Sequence, residues 1–210
     1  MPGSIDYYYS TRSIYAYFGA ERIVALTRAS GRRLVHKPMN LGRVVPASGS
    51  LAFEQRPGSH KQYFFGREIE RWSEYLSIPV IVDPVHHFGD RTWSSGFVIA
   101  AQQQGADVDA LHTAILRALW QDDRDLADPQ VLSQIAREAG LDPAPLHAAA
   151  QSPAVQNAFA QNSEEAVARG VFGSPTYIVD GDMFYGQDRL MMVERALQQP
   201  FKPAGPALTW

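Results

Sequence analysis

Cysteine is absent from all 210 residues. That excludes disulfides, thiolate metal sites and any thiol nucleophile carried by the chain itself. No run approaches the ~20 consecutive apolar residues of a membrane span, so a membrane is not an expected partner. The opening Met1-Pro2-Gly3-Ser4-Ile5-Asp6 lacks a basic segment followed by an apolar one. It does not read as a secretory signal, and the cytoplasm is the expected compartment. An excess of positive charge is missing too. With a formal net charge of -3, nothing in the composition favours a polyanion, and nucleic acid is not an expected partner. There is no internal repeat, no G-x-S-x-G elbow and no metal-ligand spacing.

What is present is an ordinary globular composition. At 45% hydrophobic residues the chain can bury a sizeable core, as one large domain or one carrying an inserted second layer. Ile5-Asp6-Tyr7-Tyr8-Tyr9 is β-branched and aromatic, and reads as a strand. Ser10-Thr11-Arg12-Ser13 breaks it. A helix is expected from Ile14 to about Ala29, with Tyr17, Ala20, Ile23 and Val24 on its apolar face, Ser13 as N-cap and Ser30-Gly31 as stop. Arg33-Leu34-Val35-His36 reads as a second, parallel strand.

Residues 42–60 are rich in Gly, Ser and Pro and read as a loop. Helical periodicity follows over about 60–77, with Phe65, Ile69, Trp72 and Leu76 on one face, then over about 90–104 and 107–121. Asp128-Pro129, Asp142-Pro143 and Ser152-Pro153 each pair a cap with a proline at the first helical position, and Gly140 ends the first of these helices. Strand character returns at Pro175-Thr176-Tyr177-Ile178-Val179. Asp180-Gly181 is a tight-turn dipeptide leading into Met183-Phe184-Tyr185, and a last helix covers about 188–198. The order β-α-β, helical block, β-β-α is the thioredoxin arrangement with an insertion. The expected fold is therefore α/β and thioredoxin-like with an inserted all-helical domain. Residues 1–45 and 168–199 would form the discontinuous thioredoxin-like domain, 46–167 the helical insert and 200–210 an irregular tail.

Three segments can carry chemistry. At a strand-to-helix junction the helix N-terminus offers free N–H groups and the positive end of its dipole, so Ser13 reads either as a plain cap or as a donor to a bound anion. Gly170-Val171-Phe172-Gly173-Ser174-Pro175-Thr176 reads either as a turn with a cis Pro175 presenting the backbone of Ser174, or as an edge-strand proline. In Tyr185-Gly186-Gln187-Asp188-Arg189-Leu190, Gln187 and Asp188 can bind amino and carboxylate groups, or Asp188 can simply cap the helix. His86 and His87 lack a metal-ligand pattern and read as surface or packing residues.

Asp6 to Ser13, the Gly170 to Pro175 turn and Tyr185 to Leu190 together resemble the 2-hydroxychromene-2-carboxylate isomerase family, grouped with kappa-class glutathione transferases and DsbA-type oxidoreductases. The resemblance runs nearly the whole chain, including Lys61 to Trp72 and Asp125 to Leu141. It implies glutathione as cofactor, a small aromatic substrate and a homodimer. It also implies Ser13 as the catalytic residue touching the glutathione sulfur, Ser174 pairing with its cysteinyl part, and Tyr185, Gly186, Gln187 and Asp188 holding its glutamyl end. Contacts from Arg12, Gln55, Arg56 and Lys61 to substrate or glutathione are further implied. The chain departs from the pattern at Ile14, where the family has proline, and at Arg12, where it has an apolar residue. Gln55-Arg56-Pro57-Gly58 stands in place of Asn-Arg-Pro-Pro. The chemistry implied is cis-trans isomerisation by reversible thiolate addition. A kappa-like glutathione transferase and a non-catalytic thioredoxin-like binding protein are the alternatives. A disulfide oxidoreductase is excluded by the missing cysteine.

Overall fold

A computed structural model describes residues 3–203 and 205. Four strands, β1 (Ser4–Tyr9), β2 (Arg33–Pro38), β3 (Thr176–Val179) and β4 (Asp182–Tyr185), form one sheet in the order β2-β1-β3-β4. β1 runs parallel to β2 and antiparallel to β3, which pairs antiparallel with β4. The alternation of β1 assigns its two faces. Ile5, Tyr7 and Tyr9 enter the main core with Tyr177 and Val179, while Tyr8 and Ile178 pack on the other side with Met39, Val44, Ala166 and Val171. Asp180 and Gly181 both take positive φ, 51° and 89°, as the turn joining β3 to β4 demands.

α1 (Ile14–Ala29) and α10 (Leu190–Gln198) pack together against the sheet. Between β2 and β3 run α2 (Leu41–Ala47), α3 (Gly58–Gln62), α4 (Glu68–Leu76), α5 (Thr92–Gln103), α6 (Val108–Trp120), α7 (Pro129–Glu138), α8 (Pro143–Ala150) and α9 (Pro153–Ala168). Asp128, Asp142 and Ser152 cap α7, α8 and α9 through their side chains. α5 is the central strut, with eight consecutive residues from Ser94 to Ala101 buried. Its Gly96 has no room for a side chain, because the backbone of Ala150 on α8 lies directly against it. Farther along, Gln102 treats β2 as a neighbouring strand would. Its Oε1 accepts from the His36 amide at 2.7 Å and its Nε2 donates to the His36 carbonyl at 3.0 Å. The outward-facing amide and carbonyl of His36 on the edge strand β2 are thereby satisfied. Among the described residues no helix is long and apolar enough to cross a membrane.

Two sequence expectations are corrected. Residues 42–60 are not a loop throughout: α2 lies there, capped by Asn40 accepting from the Gly42 amide at 3.0 Å, and a 3₁₀ turn spans Phe53–Gln55. The Gly, Ser and Pro content hid the apolar pair Val44 and Val45, which α2 buries. The helix expected over 60–77 is three pieces, α3, a π turn at Tyr63–Arg67 and α4. The wider turn shifts Phe64 and Phe65 relative to Ile69, so the aromatics upstream of the break turn toward a cavity while Ile69 enters the core.

Candidate active site

The cavity lies where the carboxyl end of β1 meets the N-terminus of α1, and its volume is about 220 Å³. Ser13, half-buried, is the α1 N-cap: its Oγ accepts from the Ala16 amide at 3.2 Å. The same hydroxyl donates across the cavity floor to the carbonyl of Ser174 at 3.4 Å. That bond is at the long limit for O–H···O, so little holds the proton where it is. Capping and donating are therefore compatible roles, since the cap uses a lone pair and leaves the proton.

The Ser174–Pro175 peptide is cis. The turn is fixed by backbone-directed bonds: the Ser10 amide donates to Ser174 Oγ at 3.0 Å, Thr176 Oγ1 to the Gly173 carbonyl at 2.8 Å, and the Gly186 amide to the Pro175 carbonyl at 2.9 Å. Gly173 has no side chain because the Tyr185 ring lies over it, with Phe172 4.6 Å from that ring. Burial holds the Tyr185 phenol above its usual pKa, so it stays a neutral donor.

The opposite wall is aromatic. Phe53 stands 4.9 Å from Phe65 and 5.2 Å from Phe88, and Phe64 stands 4.8 Å from Tyr15 of α1. Tyr15 Oη donates to the Phe64 carbonyl at 2.6 Å, which pins the π turn to α1. Lys61 braces the wall from outside, with its Nζ 5.1 Å over the Phe53 ring and donating to the Glu54 carbonyl at 3.0 Å.

Arg12 is buried, 2% exposed, and neither points to solvent nor stands free in the cavity. Its guanidinium donates to the carbonyls of His86, His87 and Asp90. This clamp carries the irregular segment after α4 over the site and brings His87 and Phe88 into the lining. His86 is tied back by Asp123, whose carboxylate accepts the amides of Val85 and His86, both at 2.9 Å. Burial, and then the positive charges of Arg12 and Arg91, push the His87 pKa down to about 4. His87 is thus a neutral imidazole near pH 7.

Of the residues singled out in the sequence, Ser13, Ser174, Tyr185, Arg12 and Arg56 line the cavity. Gly186, Gln187, Asp188, Gln55 and Lys61 are outside its lining. Gly186 sits beside Tyr185 at φ 101°, with the Asp188 carboxylate where a side chain would stand. Gln187 is turned into the protein, 1% exposed, its Oε1 accepting from Arg22 of α1 at 3.2 Å. Sequence reasoning missed Phe53, Phe64, Phe65, Phe88 and Arg91. The crowding of Phe53, Tyr63, Phe64 and Phe65 within thirteen residues was the signal available.

Residues 4–198 match the DSBA-like thioredoxin domain family. A 2-hydroxychromene-2-carboxylate isomerase of Sphingobium xenophagum is 28% identical over 197 residues, 94% of this chain and 99% of that protein. A solved 2-hydroxychromene-2-carboxylate isomerase superposes with a TM-score of 0.77 over 93% of this chain and 95% of its own, at 23% identity. A cytosolic disulfide reductase DsbM of Pseudomonas aeruginosa, solved with GSH, gives a TM-score of 0.64 over 94% and 93% of the two chains, at 19% identity.

Proposed function

The chain belongs to the DSBA-like thioredoxin domain family, and from that premise we propose a glutathione-dependent cis-trans isomerase acting on 2-hydroxychromene-2-carboxylate or a related aromatic intermediate. One observation carries the reading. In a chain without cysteine, the hydroxyl of Ser13 stands at the N-terminus of a 16-residue helix, beside a cis-proline turn and inside an aromatic cavity. The donor set suits a thiolate: a weakly engaged O–H, a helix N-terminus and no protein thiol to compete.

Glutathione, when bound, would supply a thiolate for reversible addition to the substrate's conjugated double bond and would not be consumed. Ser13 would hold the sulfur by donating its hydroxyl proton, releasing its long bond to Ser174. A free serine hydroxyl with no adjacent base is a poor nucleophile, so hydrogen-bond donation is the role its surroundings permit. Ser174 would present its backbone to the cysteinyl part. Tyr185, Gly186 and Asp188 would face the glutamyl end. The side chain of Gln187 is engaged by Arg22, which leaves its backbone for that purpose. Phe53, Phe65 and Phe88 exclude water and stack on an aromatic substrate. Arg56, whose guanidinium lies 5.9 Å over Phe65, borders the same wall. A homodimer belongs to this reading and is checked by sedimentation.

Calorimetry with glutathione and mass spectrometry of the product test the proposal. Binding, an isomerised product and an unchanged glutathione pool are expected. Net loss of glutathione to an adduct would make the protein a transferase. No glutathione binding at millimolar concentration would make it a binding scaffold.

A further inference from the structure

Among the described residues His87 is the only imidazole that lines the cavity, on the wall opposite the cis-proline turn. Its ring is held on two sides. Phe88 lies 4.5 Å from it, tilted by 36°, and Trp120 of α6 lies 4.7 Å away at 61°. The main chain is held too: the His87 amide donates to the Pro84 carbonyl at 3.2 Å, and its carbonyl accepts from Arg12 Nη1 at 3.5 Å. Arg12 directly precedes Ser13, so one side chain ties the imidazole to the helix end. Gly89 completes the fit, since a Cβ there would stand 3.1 Å from the Arg12 guanidinium.

The ring nitrogens themselves are unused. Neither has a hydrogen-bond partner among the described residues, and neither is a sealed, orphaned atom, so both are open to a ligand. Other polar side chains of the lining are engaged: Arg12 with the Asp90 carbonyl, Tyr15 with that of Phe64 and Arg56 with that of Leu51. Burial, then the positive charges of Arg12 and Arg91, outweigh Asp83 and hold the His87 pKa at about 4. The ring is neutral near pH 7, with one N–H donor and one acceptor. A neutral imidazole donates to an oxyanion without giving up its proton.

Addition of any nucleophile to a double bond conjugated to a carbonyl forms one bond at carbon and drives the π pair onto the carbonyl oxygen. When the nucleophile leaves with the pair that bound it, the π bond is restored, and no proton or electron is gained or lost overall. Between those events the oxygen is an oxyanion and needs a donor apart from the one that holds the nucleophile. We propose that His87 is that donor, a catalytic residue whose ring N–H binds the oxyanion of an aromatic carbonyl or phenolic ligand. The turnover role rests on the proposed isomerase reading, but the donor is testable without turnover.

The probe is 4-nitrophenol, whose phenolate and phenol differ in absorbance, titrated into the protein without added glutathione between about pH 5.5 and 8.5, where His87 stays neutral. The wild type should bind the phenolate at least about tenfold more tightly than the phenol. His87→Phe should abolish that preference while the melting temperature shows the protein still folded, and His87→Gln, which keeps an N–H donor, should retain part of it. No preference in the wild type, or one that survives in His87→Phe, overturns the proposal. A preference lost only in Ser13→Ala assigns the anion to the helix end and overturns it as well. Isomerisation with kcat unchanged in His87→Phe removes the catalytic role. If no isomerisation is found but the phenolate preference depends on His87, the isomerase reading falls while the oxyanion donor stands.

Discussion

The two walls of the cavity are built by different means. On the Ser13–Ser174 side, main-chain geometry does the positioning: a capped helix end, a cis peptide and amide-to-carbonyl bonds link residues 10, 13, 173–176 and 186. On the opposite side, residues 53–65 and 86–91 lie on short turns and irregular backbone, held by aromatic contacts and the Arg12 clamp. A wall fixed by backbone tolerates few sequence changes without losing its shape. A wall of side chains on turns is easily altered. On the proposed reading thiol handling would belong to the first and substrate choice to the second, and each assignment is open to attack.

The largest effect is expected on the backbone-built wall. Ser13→Ala should lower kcat about 10²- to 10³-fold, as loss of a donor to a developing anion does, with glutathione still bound. Steady-state kinetics with calorimetry checks it; an unchanged kcat would remove Ser13 from the mechanism. Next comes the clamp. Arg12→Ala leaves the carbonyls of His86, His87 and Asp90 without their donor and should cost about 2–4 kcal/mol. For a chain of this length that is a fall in Tm of roughly 5–10 °C, read by scanning calorimetry, together with a raised substrate KM.

Acid should loosen the side-chain wall. The folded pKa of His87, about 4, lies below the ordinary imidazole value of about 6.5, so on acidification the unfolded chain takes up its proton first. Stability is constant above about pH 6.5 and falls as the pH drops toward 4. The loss from His87 reaches about 2 kcal/mol by pH 5. Buried His112, depressed by desolvation and His36, adds in the same direction. Urea unfolding at pH 7 and pH 5 measures the sum, and His87→Phe should flatten part of the slope. The smallest effect is at the rim. Phe88→Ala should raise KM for an aromatic substrate about 2- to 10-fold and leave glutathione affinity alone. Equal losses for both ligands would erase the division between the walls.

Much of the fold was legible because its signals are local. Ser13, Asp128, Asp142 and Ser152 stand one residue before a helix and cap it with their own side chains; Asp180-Gly181 announces the β3–β4 turn. α2 was not legible, because its stability comes from burying Val44 in the cluster that holds Ala166 of α9, which no local propensity reports. The break between α3 and α4 was missed for a related reason. A π turn keeps the residues helical and only changes which of them share a face.

At the site the same boundary holds. Ser13 and Ser174 are marked by their positions at element junctions, and the absence of cysteine follows from the sequence alone. The partner of a long side chain does not. Arg12 reaches carbonyls 74 to 78 positions away, and Gln187 turns from the cavity to Arg22. The sequence by itself determined the order of elements, the caps and the lack of a thiol, since each depends on residues within a few positions of one another. Only the tertiary structure decided which polar side chains are spent on the fold, as those of Arg12 and Gln187 are. That depends on carbonyls and carboxylates brought close by packing, and their distances along the chain carry no trace of it.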